Sequence, residues 1–285
     1  VSGDEKESDR MMTAPRILVF DSGLGGLTVY REIAGLRPQA DYVYLADDAV
    51  FPYGSMAAEE LVTRVIGLLD HWIGRVQPDI VVIACNTAST LVLPHLRARH
   101  AHLPFVGTVP AIKPAAQHSV SKLISVLATP ATVARDYTHE LIRQHAAHCQ
   151  VQLVGAPLLA SLAERAMHGQ IIRDEEIDEE ILAQIAPCFV EHEGQRTDHV
   201  VLACTHYPLL MDHLQRLAPW PVHWVDPAPA IARRVDHVLA QAGFVASVTS
   251  SAQLIARGRA IFTSEKEAEP VLIAALEDRG LKIQS

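Results

Sequence analysis

Short runs of β-branched and aliphatic residues, unbroken by polar positions, recur along this chain between longer segments of helical period. RILVF at 16–20, YVYLA at 42–46, DIVVIA at 79–84 and PFVGTV at 104–109 lack the polar alternation of a half-solvated strand. Strands of that texture are buried on both faces, the condition of a parallel sheet covered by helices on each side. The intervening text agrees: Leu61, Val62, Val65, Ile66, Leu69, Trp72, Ile73 and Val76 recur at three- and four-residue steps and make one apolar stripe. After about residue 110 the alternation restarts with LISVLAT (123–129), VQLVGA (151–156) and HVVLA (199–203). VHWV (222–225) and AIFTS (260–264) flank a helix over roughly Pro229 to Gln241 and are expected to return to the first sheet.

The expectation is an α/β protein of two pseudo-symmetric α/β domains with mainly parallel sheets and an active site at their interface. Residues 1–13 form a polar tail, 14–109 plus 223–285 the first domain, and 110–222 the second. SVTSSA at 247–252 reads as a surface loop.

The pseudo-symmetry rests on a repeated text. Asp79-Ile80-Val81-Val82-Ile83-Ala84-Cys85 against Asp198-His199-Val200-Val201-Leu202-Ala203-Cys204 is identical at five of seven positions. Buried strands share valines by composition alone, but that does not explain a cysteine at the same strand exit, where open α/β sheets bind ligands. Asn86-Thr87 follow the first cysteine and Thr205-His206 the second. A helix start at such a place lowers a thiol pKa and offers N–H donors to an anion. One such cysteine is most simply a small core residue. Two at equivalent places suggest acid/base groups on opposite sides of one substrate carbon, one removing a proton and the other supplying one, which inverts a stereocentre.

Composition narrows the partners. With 24 Lys+Arg against 33 Asp+Glu the net charge is −9, and no basic cluster stands against it, so nucleic acid is disfavoured. The longest apolar runs are strand-sized, far below the ~20 residues of a bilayer helix, so no membrane span is expected. Cys85, Cys149, Cys188 and Cys204 form no CxxC pair, which suits a reducing, cytoplasmic compartment.

Other motifs carry less. Asp21-Ser22-Gly23-Leu24-Gly25-Gly26 is a glycine-rich turn able to hold an anion on backbone N–H groups, with Asp21 either capping it or standing beside a thiol. It lacks the Lys-Ser/Thr of a P-loop, and Thr28 replaces the last glycine of a dinucleotide fingerprint. Pro52-Tyr53-Gly54-Ser55 is a turn that can aim the Tyr53 hydroxyl inward. His145, His148 and Cys149 share one helical face but read as a solvated helix end rather than a metal site, and HELIR at 139–143 lacks the second histidine of a zincin. Cys188 reads as packing.

FDSGLGGLTV, PYGS, ACNTAST, GTVPAIKPA, CTHYPLL and VDPAPAIARR, in this order, resemble bacterial glutamate racemase of the cofactor-independent aspartate/glutamate racemase superfamily, over roughly residues 16 to 245. His206 favours glutamate, since related aspartate racemases usually carry glutamate there. The resemblance implies interconversion of L- and D-glutamate without cofactor or metal, supplying D-glutamate for peptidoglycan. Cys85 would be the base toward D-glutamate and Cys204 toward L-glutamate, assisted by Asp21 and His206. Substrate contacts are implied at Asp21, Ser22, Pro52, Tyr53, Gly54, Asn86, Thr87, Thr205 and His206, with Thr129 and Thr132 near a carboxylate and Glu164 near the ammonium. It also implies a monomer or homodimer and, from the N-terminal extension and VPAIKPAA, activation by UDP-N-acetylmuramoyl-L-alanine. Arg135 and Phe51 depart from the common pattern and are expected to touch no catalytic group.

The rival readings are another racemase or isomerase of the superfamily acting on aspartate or a related acid, a cysteine hydrolase using Cys204 with His206, and a two-lobed binding protein. The hydrolase is disfavoured because residues two apart at a strand-helix turn generally diverge, and because it leaves Cys85 unexplained.

Overall fold

The computed structural model describes residues 14–170, 175–245 and 257–284. The expected tail and the SVTSSA loop lie outside those residues. Along the chain run β1 (Arg16–Asp21), α1 (Leu27–Leu36), β2 (Asp41–Ala46), α2 (Ala58–Val76), β3 (Ile80–Ile83), α3 (Asn86–Arg99) and β4 (Phe105–Gly107). Then come α4 (Ile112–His118), β5 (Leu123–Ala128), α5 (Pro130–Val133), α6 (Asp136–His145), β6 (Gln150–Gly155), α7 (Leu159–Met167) and α8 (Glu175–Ile185). The hairpin β7 (Glu191–His192) and β8 (Gln195–Arg196) precedes β9 (His199–Ala203), α9 (Met211–Leu217), β10 (His223–Val225), α10 (Ala228–Gln241), β11 (Arg257–Phe262), α11 (Pro270–Glu277) and β12 (Leu281–Ile283).

Two parallel sheets result, as the texture of the strands requires. The first has order β12-β11-β2-β1-β3-β4 and the second β10-β9-β5-β6. Successive residues of β1 point to opposite faces, and both faces are covered. Ile17 and Val19 pack with α1 and α10, whereas Leu18 and Phe20 pack with Leu61, Val65 and Leu69 of the α2 stripe and with α3. In the second sheet Val200 and Leu202 meet α7, α8 and α9, while Val201 and Ala203 meet α4. Cys188 is buried in that core, as packing.

Three expectations need correction. His223–Val225 pairs in register with His199–Val201, so this strand extends the second sheet, and the anticipated boundary at 222/223 puts it on the wrong side. Among the described residues α10, β11, α11 and β12 carry the chain back to the first sheet's core and edge. And α6 stops at His145, so His148 and Cys149 lie beyond the helix, each directed at the Ala116 carbonyl at 3.2 and 3.8 Å, rather than sharing a helical face with it.

Candidate active site

Parallel strands deliver all their carboxyl ends to one side, and here the residues that follow those ends in the two sheets meet. β1 runs into Asp21 and the glycine turn, β3 into Cys85, β5 into Thr129 and β9 into Cys204. Bonds cross from one set to the other. Leu24 N–H donates to Glu164 Oε2 (3.0 Å), the Thr205 hydroxyl to Asp21 Oδ1 (3.4 Å), and Thr28 Oγ1 reaches the Thr205 carbonyl (3.3 Å). A cleft at such a junction is the place the topology reserves for a ligand.

On the first-sheet side Cys85 caps α3, buried, with the Ser22 hydroxyl 3.6 Å from its sulfur. The helix start was expected to lower this thiol's pKa. Instead burial, followed by the neighbouring Asp21 carboxylate, pushes it up to about 12, outweighing the Ala88 N–H and Ser22 bonds that favour the thiolate. Asp21 fills both roles considered for it. Its Oδ2 accepts from Gly26 N–H (3.0 Å) and Gly23 N–H (3.3 Å), which shapes the turn, and its charge acts on Cys85. Burial raises the Asp21 pKa, with His206 and the turn N–H groups opposing.

On the second-sheet side the Cys204 sulfur lies 4.0 Å from His206 Nδ1, and His206 Nε2 lies 2.8 Å from Glu164 Oε2. The two residues therefore converge, against the expectation of divergence at this turn. Burial alone disfavours an imidazolium, yet the bonds to Cys204 and Glu164 and the Glu164 charge hold His206 well above the ordinary histidine range. Gly25 N–H also points at Nε2, at 3.2 Å. A protonated Nε2 cannot accept that bond, so the shorter contact with Glu164 takes its hydrogen. Phe51 flanks the ring, centroids 5.1 Å apart, against the expectation that it touches no proposed catalytic group.

Hydroxyl and amide groups follow the same strand ends. Thr87 Oγ1 is 3.3 Å from Thr129 Oγ1 and 3.4 Å from Thr132 Oγ1, so three hydroxyls from both sheets cluster. Asn86 is buried, and among the described residues neither its Oδ1 nor its Nδ2 has a partner. A buried amide with both ends open is costly unless a ligand supplies the complement. A Cβ added at Gly54 would meet Thr129 at ordinary van der Waals distance, 3.6 Å, while Pro52 borders a cavity that Glu164 also lines. Arg135 does not join this cluster by any side-chain bond, and its buried Nε has no partner among the described residues.

Tyr53 points inward, but its hydroxyl donates to Asp47 Oδ2 at 2.5 Å and is thereby committed. Asp47, which sequence reasoning missed, also takes both arms of Arg64 (2.6 Å each) and the Thr263 hydroxyl (2.7 Å). It sits just past β2, and strand-exit position was the one available signal. Burial opposes its ionisation, but Arg64, Tyr53 and Thr263 together hold its pKa below 3.8. Asp47→Asn should cost about 2 kcal/mol, below the usual price of breaking a buried pair because Arg64 is about a third exposed. A folded-state pKa below the unfolded one stabilises fully above pH 3.8, and that contribution is lost as pH falls through the lower value. Urea midpoints of parent and variant should therefore differ at neutral pH and converge below pH 3.8.

Comparison with known proteins gives the geometry a context. The family model for Asp/Glu/Hydantoin racemase matches residues 24–235. Glutamate racemase of Brucella canis is 58% identical over 223 residues, 78% of this chain and 79% of that protein. The Brucella anthropi glutamate racemase is 58% identical over 224 residues, with the same coverage. Among solved structures, Escherichia coli glutamate racemase in complex with L-glutamate and the activator UDP-MurNAc-Ala superposes with a TM-score of 0.82 at 36% identity, covering 96% of this chain and 99% of that one. A glutamate racemase from Bacillus anthracis shares the fold, with a TM-score of 0.76 at 23% identity over 95% of this chain and 96% of that one.

Proposed function

This chain belongs to the Asp/Glu/Hydantoin racemase family and is an amino-acid racemase, and from that premise we propose that it interconverts L- and D-glutamate with Cys85 and Cys204 as opposed acid/base groups. The observation that carries the reading is the pair of cysteine environments, each at a β-strand exit and each with its own assisting set, joined through Asp21 and Thr205. Asn86 with its two open ends and the Thr87, Thr129 and Thr132 hydroxyls suit the carboxylates and ammonium of a dicarboxylic amino acid. Tyr53 and Gly54 contribute through the turn's backbone, since the Tyr53 hydroxyl is taken by Asp47.

An amino-acid Cα proton is very weakly acidic, so its removal needs preorganised charge in a water-poor site. The two sides start unequal. Cys85, pushed up to about 12 by burial and Asp21, rests as a thiol, ready to give a proton. Cys204 instead faces the His206 imidazolium, 4.0 Å away. In this state Cys204 removes the α-proton of L-glutamate while Cys85 protonates the opposite face. One turnover reverses the two roles, leaving the enzyme set for D-glutamate. Both sulfurs are comparably buried, so access does not separate them. At neutral pH iodoacetamide should therefore label Cys204 before Cys85 in peptide mass spectrometry. Cys85 reacting first would contradict the resting assignment.

The Cys204-His206-Glu164 array also fits a hydrolase's nucleophile, base and orienting carboxylate. Family membership and the second cysteine favour proton transfer instead. Supply of D-glutamate for peptidoglycan, a cytoplasmic location, activation by UDP-N-acetylmuramoyl-L-alanine and a monomeric or homodimeric state belong to the same proposal. Among the described residues no helix is long and apolar enough to cross a membrane. The deciding experiment incubates the purified chain with L-glutamate and, separately, L-aspartate, without added cofactor, and follows optical rotation. Loss of rotation with glutamate alone supports the reading. Activity confined to aspartate, or to neither, overturns it.

A further inference from the structure

Beyond Glu164 a chain of polar contacts continues through its second carboxylate oxygen. Glu164 Oε1 lies 3.9 Å from His168 Nε2, and His168 Nδ1 lies 2.6 Å from Glu269 Oε2. His168 is the C-cap of α7 and Glu269 the N-cap of α11. α7 packs in the second sheet's core and α11 in the first's, so this bond ties the two halves together beside the reacting centre. A second contact fixes the same junction. Gly169 ends the α7 segment at φ +67°, a conformation that glycine adopts without strain, and a Cβ there would stand 3.0 Å from Val271 Cγ2 of α11. The bond to His168 also keeps Glu269 ionised below the usual carboxylate range.

Glu164 needs such support. Its Oε2 is held by Leu24 N–H and His206, whereas its Oε1 leans toward Gly23, whose added Cβ would lie 2.8 Å from it, and has His168 Nε2 3.9 Å away. A glutamate side chain has several soft torsions, and a small misplacement of an assisting group is expensive in rate. Resting on the two-cysteine reading above, we propose that His168, oriented by Glu269, is a positioning residue that fixes the Glu164 carboxylate and through it the His206 imidazolium. The support bears on Cys204 more directly than on Cys85: Glu164 bonds the His206 ring itself, whereas it meets the Ser22-Cys85 side only through the glycine turn at Leu24 N–H. It also exists only while α7 and α11 are together, so it couples closure of the halves to assembly of the Cys204 side.

The test compares His168→Ala and Glu269→Gln with the parent, using glutamate protiated or deuterated at Cα in each hand, together with thermal melting. kcat/KM should fall about ten- to a hundredfold for His168→Ala, and less for Glu269→Gln, which keeps an acceptor for Nδ1–H. The substrate isotope effect should rise for the L hand, whose proton Cys204 removes, and fall for the D hand, as the Cys204 step becomes the slower one. His168 borders a cavity of about 920 Å³. Added imidazole should therefore restore part of the His168→Ala activity while leaving the parent unchanged. Variants within twofold of the parent, or a loss with equal isotope effects in both hands and a lowered melting temperature, would overturn the positioning role. A parent that does not racemise glutamate, or a Cys204→Ala variant that still does, would instead overturn the underlying reading, and the two failures are distinct.

Discussion

Cys85→Ala and Cys204→Ala should each lose racemisation by about 10²–10⁴-fold or more, the range for deleting an essential proton-transfer group, while still folding. Each substitution removes one small buried atom from a well-packed site, a modest stability cost beside the loss of function. The two variants should not be equivalent in what they keep. Cys85→Ala retains the Cys204-His206-Glu164 side and should slowly wash deuterium from the α-carbon of L-glutamate without inverting it. Cys204→Ala should do the same for the D hand through Cys85 and Ser22. Proton NMR of the α-position against chiral chromatography of the same samples separates exchange from inversion. Full turnover by either variant would remove that cysteine from the mechanism.

Gly25→Ala should be nearly as damaging, for a reason of space alone. A Cβ at Gly25 would lie 2.3 Å from His206 Nδ1 and 2.7 Å from two further ring atoms. Neither partner can yield easily. The ring is held by Glu164 and flanked by Phe51, and the Gly25 carbonyl accepts from both Thr28 N–H (3.1 Å) and Thr28 Oγ1 (2.9 Å). The clash displaces Nδ1 from Cys204, so kcat/KM should drop about 10²-fold or more, with a stability loss of about 1–3 kcal/mol from overpacking. Gly35→Ala in α1, where an added methyl meets nothing within 4 Å, is the matching control and should be neutral or stabilising by about 0.5–1 kcal/mol. Equal activity in both variants would show that the space beside His206 is not what requires glycine.

The parts of this molecule that were legible in the sequence share one property: a local signal aligned with a global demand. RILVF and HVVLA are apolar at every residue after the first because both faces of their sheets are covered, and the α2 stripe is periodic because one face of that helix is. The cysteines could be read because the same strand exit occurs twice. Leu281–Ile283 could not, being three residues on a sheet edge with two of them exposed. The hairpin at 191–196 is polar on both strands; only its Glu193-Gly194 turn, with φ of 51° and 75°, carries a signal, and alternating apolar residues were not there to support it. Strand β10 went to the wrong sheet because register between distant segments is written in tertiary contacts. The same limit hid Asp47 behind Tyr53, Phe51 against His206, and the link from His168 to Glu269, whose partners lie 101 positions apart. Cys85 shows the converse error: the helix start was legible, but the burial and the Asp21 charge that outweigh it were not.

The most direct test of the opposed-thiol account follows the first turnovers of unlabelled L-glutamate in deuterium oxide by mass spectrometry of the separated enantiomers. Two groups on opposite faces predict D-glutamate carrying one α-deuterium from the outset, while the remaining L-glutamate stays protiated. Deuterium entering the L pool as fast as the product, or early D-glutamate that keeps the original α-hydrogen, would mean that a single group serves both faces and would contradict the account.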